Sequence, residues 1–431
     1  MNYPRFEKYK NIGEDYVIPK KMKAVAMKEP GLENLKILEL DVPYPNTNQL
    51  LVRVDACTIC TSTLKILAQG KEHTYINGWP IESHPVILGD EGSLTVVKVG
   101  QNLQNKYQIG EKLCVQPAVD HAPINHREFY RNVETMNKTA VGYTLGGHLS
   151  EYMLIMEEVI ESNCLVKLPS QTLGYYEVSL SEPVSCCVSA QDHHVHLIFN
   201  PSTGERVAVK GLLKNGVTAV FGAGVMGRLH AEVAMSYSPK HLFVFDINPN
   251  RFEWITSRLS SQAKKMGVAL HCELITPDIA NTVYKITGQN FADDIIDATG
   301  SARAQENVFG LAGRGSVVNT FGGLKVGEHV VGIDLRKVHY SEMIITGSSG
   351  GNWGDTVKVL DLVNQGSIRL GTQIRLVGDL THAVKFLELM KQGKIDGKAI
   401  VYPHTKMDKP YEVPDEWSCE KEIEHLDKTL I

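Results

Sequence analysis

Among the 431 residues no apolar run reaches the roughly 18 residues that a membrane helix needs, so no membrane partner is expected. There is no basic block either. The formal net charge of −5 is spread along the chain, which speaks against nucleic acid. The opening MNYPRFEKYKNIGEDYVIPKK has no apolar stretch of the kind a secretory signal carries. Eight cysteines at irregular spacing do not make a disulfide framework in a chain this long, so reduced thiols and a cytoplasmic setting are expected. Internal repeats and low-complexity segments are absent. What remains is an ordinary globular composition, 43% hydrophobic and 22% charged, with length for two or three domains.

The most informative stretch is 217–235, VTAVFGAGVMGRLHAEVAM. A strand-like run enters Gly222-Ala-Gly224-Val225-Met226-Gly227, and a helix-like run leaves it. In such a turn the first glycine permits the tight bend, the second lets a pyrophosphate approach the backbone, and the third lets helix and strand pack closely. The phosphates would lie at the helix N-terminus, where free N–H groups favour negative charge. A second apolar run ends in Asp246, about 20 residues past the third glycine, where an acid binding the adenosine ribose is expected. That carboxylate repels a 2′-phosphate and favours NAD, while the nearby Arg251 leaves NADP open. Thr299, in the Asp297-Ala-Thr-Gly300 turn at another strand end, completes the expected cofactor set.

Texture divides the chain. Residues 1–20 read as an N-terminal extension. Residues 21–184 carry period-two alternation punctuated by Gly, Pro and Asn, the pattern of a β-rich domain. From 185 to 350 strands alternate with helical stretches, which implies α/β architecture with a doubly wound parallel Rossmann sheet. Residues 351–431 return to the first domain and end in a charged tail.

Five stretches, in order, resemble the zinc-dependent medium-chain alcohol and polyol dehydrogenases. Asp55-Ala-Cys-Thr-Ile-Cys60-Thr-Ser62 is similar to the family's metal-cysteine loop. Gly89-Asp-Glu91-Gly-Ser-Leu94 is similar to its G-H-E-x-x-G stretch, with Asp90 for histidine and Leu94 for the last glycine. Gly146-Gly-His-Leu-Ser-Glu-Tyr152 is similar to its GG-x-x-x-EY strand, and Leu180-Ser-Glu182-Pro-Val-Ser-Cys186 to its E-P-L-S-C helix start. The Gly222 turn with Asp246 is the fifth. Within the family, Gly347-Ser-Ser-Gly-Gly-Asn352 and the insertion before the Gly222 turn resemble sorbose-1-phosphate reductase-type sugar dehydrogenases. The resemblance implies a GroES-like catalytic domain beside the Rossmann domain. It further implies hydride transfer between NAD(H) and a sugar, polyol or sugar phosphate in a homodimer or homotetramer.

On that resemblance, Cys60, Asp90, Glu91 and Glu182 are expected to surround one catalytic zinc, with Glu91 a ligand or a neighbour of the ligands. A carboxylate in place of histidine still binds zinc. Such a set carries up to four negative charges around a +2 ion, which weakens the Lewis acid and widens the choice of metal. Ser62 falls at the proton-relay hydroxyl, and Lys65 stands where the relay usually ends in histidine. Cys57 reads as packing, and His73, His84 and His148, without spacing partners, as surface or core residues. No cysteine lies between Cys114 and Cys164, so no structural zinc is expected. A substrate phosphate would need cations, for which Lys65, His121, His126, Arg127 and Arg131 are candidates. Two other readings stay open: a metal-free medium-chain reductase, and a nucleotide-binding regulatory protein without turnover.

Overall fold

The computed structural model describes residues 2–119, 139–324 and 327–431. His121, His126, Arg127 and Arg131 lie outside the described residues. The chain forms two compact units, residues 1–182 with 352–431, and residues 183–351. The helix Tyr175–Asp192 runs from the first into the second. Among the described residues no helix is long and apolar enough to cross a membrane.

The first unit is built on an eight-stranded sheet with the strand Leu50–Thr58 near its centre. All nine residues of that strand are buried, Arg53 and Asp55 included. It pairs antiparallel with Glu91–Val99 on one side and with Lys398–Val401 on the other. The register sets Thr58 opposite both Glu91 and Ile400. Three strand ends from distant parts of the sequence therefore meet at one edge. The chain then passes through Cys60, in extended conformation, into the helix Thr61–Gln69. That helix buries Thr63, Ile66 and Leu67 in a core shared with Trp79, Phe386 and Leu387, so Ser62 and Lys65 lie off the buried face.

Residues 1–20 differ from the extension that their composition suggests. The helix Pro4–Lys10 packs on the C-terminal helix Cys419–Thr429, where Asp427 Oδ1 accepts from the amides of Arg5 (2.8 Å) and Phe6 (2.9 Å). The buried Arg53 guanidinium lies 3.4 Å over the Tyr9 ring and is paired with Asp55 at 2.7 Å. A buried cation needs such partners, so both chain ends are part of the first unit's core.

The second unit has a six-stranded, all-parallel sheet. Its order is Ala269–Leu274, His241–Asp246, Val217–Phe221, Ala292–Asp297, Ala312–Asn319, Ile344–Thr346. In sequence terms this is 3-2-1-4-5-6, the doubly wound order with its switch point beside the first strand. The insertion before that strand is a hairpin, Val195–Phe199 with Arg206–Lys210. His194 and His196 tie it down by hydrogen-bonding one oxygen of the buried Asp294 at 2.7 and 2.8 Å.

Candidate functional site

In the first unit, one potential ligand atom from each of Cys60, Asp90 and Glu91 lies within 4.8 Å of the others. Glu91 is fully buried and both its oxygens are engaged. Oε1 is 2.5 Å from the Lys398 ammonium, and Oε2 accepts from the Thr58 hydroxyl. Burial alone would pull the Lys398 ammonium down, but the Glu91 carboxylate outweighs it and holds the group above its ordinary value. Asp90 is engaged on one side only. Its Oδ2 accepts from Ser62 Oγ at 2.5 Å, whereas Oδ1 is buried with no protein partner. Burial, then the Glu91 charge, push the Asp90 carboxyl up to about 6 against the opposing Ser62 and Lys398. Burial, then Asp90 and Glu91, likewise hold the Cys60 thiol well above the usual thiol range.

This is the electrostatic pattern of a cation site described by its protein atoms alone. Burial and the neighbouring acids disfavour the charged forms of a thiol and a carboxylate, which a further positive charge would relieve. A buried carboxylate oxygen without a partner costs about 1–3 kcal/mol or more, and a divalent ion on that lone pair would remove the cost. The donor set fits zinc, which takes Cys sulfur and carboxylate oxygen together.

Glu182 is placed on the same scaffold. One turn before it on the helix, Ser179 accepts from the Thr58 amide (2.9 Å) and donates to the Glu91 carbonyl (3.1 Å). The Glu182 charge reaches Cys60, Lys398 and Tyr143. Tyr143, Thr58, Ser179 and Lys398 are not among the residues that sequence motifs single out. Lys398 leaves one signal, a lysine opening the apolar strand KAIV straight after a glycine. Tyr143 is buried beside this group, and burial, then the Asp90 and Cys60 charges, hold its hydroxyl above its ordinary value.

The other suggested residues fall as follows. Cys57 is fully buried in the apolar core. His148 Nδ1 is 3.0 Å from the Gly89 carbonyl, and burial pushes the ring down to about 4. A Cβ at Gly92 would lie 2.1 Å from that ring, so His148 packs against the strand that carries Glu91. His84 Nδ1 contacts the Ser83 hydroxyl. Lys65 is exposed, and His73 is half-buried with its ring 5.2 Å from that of Tyr143.

In the second unit Gly222 has φ +99° and a Cβ at Gly227 would lie 1.6 Å from the Gly222 carbonyl oxygen, so neither position admits another residue without strain. A Cβ at Gly224 meets nothing within 4 Å, which leaves the backbone open to a ligand. Val225 and Met226 begin the helix Val225–Ser236 and are partly exposed. Asp246 Oδ2 accepts from the Ala223 amide at 2.6 Å and lies 3.1 Å from Arg251 Nη1. The ribose-binding candidate is thus tied to the glycine turn itself. Thr299 Cγ2 lies 3.4 Å from the position of a Gly222 Cβ, and its hydroxyl donates to Asp297. These groups fit a dinucleotide.

Residues 46–170 match the alcohol dehydrogenase GroES-like domain family. Mannitol-1-phosphate 5-dehydrogenase of Aliivibrio fischeri is 28% identical over 381 residues, 87% of this chain and 85% of that protein. Over most of its length the chain is thus similar to a polyol-phosphate dehydrogenase, and over residues 46–170 to the alcohol dehydrogenase GroES-like domain. L-sorbose 1-phosphate reductase of Klebsiella pneumoniae is 24% identical over 385 residues, 88% of this chain and 87% of that protein. Among solved structures, 2R,3R-butanediol dehydrogenase of Bacillus subtilis superposes with a TM-score of 0.69 at 20% identity, covering 89% of this chain and 99% of that one. At that identity the superposition speaks for the fold alone, a GroES-like domain and a Rossmann sheet.

Proposed function

We propose that the protein is an NAD(H)-dependent dehydrogenase that interconverts the alcohol and carbonyl forms of a polyol, sugar or sugar phosphate. Its metal set would be Cys60, Asp90 and Glu182. The observation that carries the reading is the buried, unpartnered Asp90 Oδ1 beside Cys60 and Ser62. Glu91, whose oxygens already accept from Lys398 and Thr58, would be a further ligand or a neighbour of the ligands. With Lys398 offsetting the Glu91 charge, a bound ion would meet three uncompensated negative charges instead of four and would be the stronger Lewis acid.

When bound, zinc supplies a Lewis acid that polarises a carbonyl or lowers the pKa of an alcohol. The residues of this chain position and move the proton. Ser62 Oγ, held by its hydrogen bond to Asp90, is placed to take a proton from the substrate hydroxyl or return it. Lys65, one turn on along the same helix, lies at the outer end of that path. Gly222, Gly224 and Gly227 would hold the pyrophosphate and Asp246 the adenosine ribose, with NAD favoured over NADP. Relatives named for mannitol 1-phosphate and L-sorbose 1-phosphate support a phosphorylated substrate, L-sorbose 1-phosphate among the candidates.

The test is metal analysis of protein purified without chelators, joined to an NADH-linked screen over polyols, sugars and their phosphates. One zinc per chain and turnover of at least one of these are expected, and Cys60→Ser should lower both. Full activity in rigorously metal-free protein would sink the metal set. Binding of NADH without turnover of any member of the screen would point to a regulatory protein instead.

A further inference from the structure

Beside the metal set the first unit carries positive charge that nothing described there balances. Lys65 follows Ser62 by three residues on the helix Thr61–Gln69, so the two side chains neighbour each other. Lys65 is exposed, and its ammonium has no carboxylate partner among the described residues. His73 follows the same helix. Its Nδ1 accepts from the Tyr75 amide at 3.2 Å, which places the proton of the neutral ring on Nε2. That Nε2–H has no acceptor among the described residues. Burial, and then the Lys65 ammonium, disfavour protonation of His73. The His73 ring leans on Tyr143, which is buried near Ser62. Ser62, Tyr143, His73 and the Lys65 ammonium thus neighbour one another in turn.

An open cation and an open N–H donor, with no acid between them, suit a dianion with several acceptor oxygens. Three helical residues rise about 4.5 Å, so an anion held by Lys65 lies a few carbon atoms from a group at Ser62. We infer that Lys65 and His73 form a subsite for the phosphate of a phosphorylated polyol or ketose whose reacting oxygen lies at Ser62. This rests on the proposed dehydrogenase function and deepens it by naming the two residues that select the phosphorylated substrate.

The experiment uses the full chain saturated with NAD+ and three variants. Lys65→Met removes the charge. His73→Asn keeps an acceptor for the Tyr75 amide but deletes the Nε2 donor. His73→Gln returns an N–H near the Nε2 position. Inorganic phosphate is titrated by calorimetry, and kcat/KM is measured for matched phosphorylated and free polyols. Lys65→Met should weaken phosphate binding tenfold or more and lower the phosphorylated-over-free ratio by a similar factor. His73→Asn should lower both severalfold, with recovery in His73→Gln. Phosphate binding that is the same in wild type, Lys65→Met and His73→Asn overturns the subsite. So does a loss of NADH affinity in Lys65→Met with the substrate ratio unchanged, which assigns the ammonium to the cofactor. A proton-relay role alone would slow both substrates equally and leave the ratio where it was, again against the subsite. Turnover of no polyol at all removes the proposed function, and the phosphate titration then decides the subsite by itself.

Discussion

Lys398 Nζ lies 2.5 Å from Glu91 Oε1, and the pair joins residues 307 positions apart with both side chains buried. The ammonium is what allows a fully buried carboxylate to stay charged beside Asp90 and Cys60. Removing it strands that charge, a change that typically costs about 3–5 kcal/mol. Lys398→Met should therefore lower stability by that order in urea unfolding. Adding Glu91→Gln to the same chain should restore much of it. Equal stability of Lys398→Met and wild type would show that the pair contributes nothing to the fold.

Glu422 provides a pH signature away from the metal set. Its carboxylate is buried and accepts from the amides of Tyr175 and Tyr176, each at 2.8 Å, and from the Tyr402 hydroxyl. Burial nevertheless pushes the group up to about 7, against those hydrogen bonds and Lys112. Between the ordinary glutamate range and about 7 the folded chain holds a proton that the unfolded chain has released. Stability should then fall as pH rises through that window, by on the order of 2–3 kcal/mol. Below the window the contribution is fully present. In Glu422→Gln this part of the slope should vanish, as unfolding free energies at pH 5 and pH 7.5 would reveal.

The glycine turn separates folding from binding. Gly227→Ala drives a methyl into the Gly222 carbonyl, so a drop in melting temperature and loss of NADH binding are expected together. Gly224→Ala meets open space and should melt close to wild type. Its methyl stands where the backbone would receive the pyrophosphate, so NADH affinity should still fall at least tenfold. Unchanged affinity in Gly224→Ala would place the cofactor elsewhere.

Asp246→Ser shortens the acid, removes its charge and frees Arg251, now 3.1 Å from it. A hydrogen bond to a charged group is worth about 1.5–3 kcal/mol, so NADH should bind roughly ten- to a hundredfold more weakly. NADPH should gain relative to NADH, because the released guanidinium suits a 2′-phosphate. Fluorescence titration with both nucleotides checks this, and a wild-type preference for NADPH would contradict the role given to Asp246.

Much of the fold is legible along the chain because its signals are local. The strand Val217–Phe221 and the helix Asn250–Met266 announce themselves by periodicity and glycine punctuation. The strand Ala269–Leu274 does not. It lies at the sheet edge, partly exposed, and reads ALHCEL without clear alternation. The hairpin Val195–Phe199 with Arg206–Lys210 is also silent, since it leaves Leu197, Ile198 and Phe199 exposed and so carries no burial pattern.

The glycine turn was determined by the sequence itself, down to the residue. Its requirements are steric and are met within a few positions of chain, at Gly222, Gly224 and Gly227, with Asp246 ending the next strand. The candidate catalytic residues were also recognisable one by one, as Cys60, Ser62, Asp90, Glu91 and Glu182. Their division of labour was not. Only the pairing of Leu50–Thr58 with both Glu91–Val99 and Lys398–Val401 brings Lys398 and Thr58 onto Glu91 and leaves Asp90 Oδ1 alone. Two adjacent carboxylates look alike in sequence. What distinguishes them is which partners reach each oxygen once water has been excluded, and that is a property of the packed sheet.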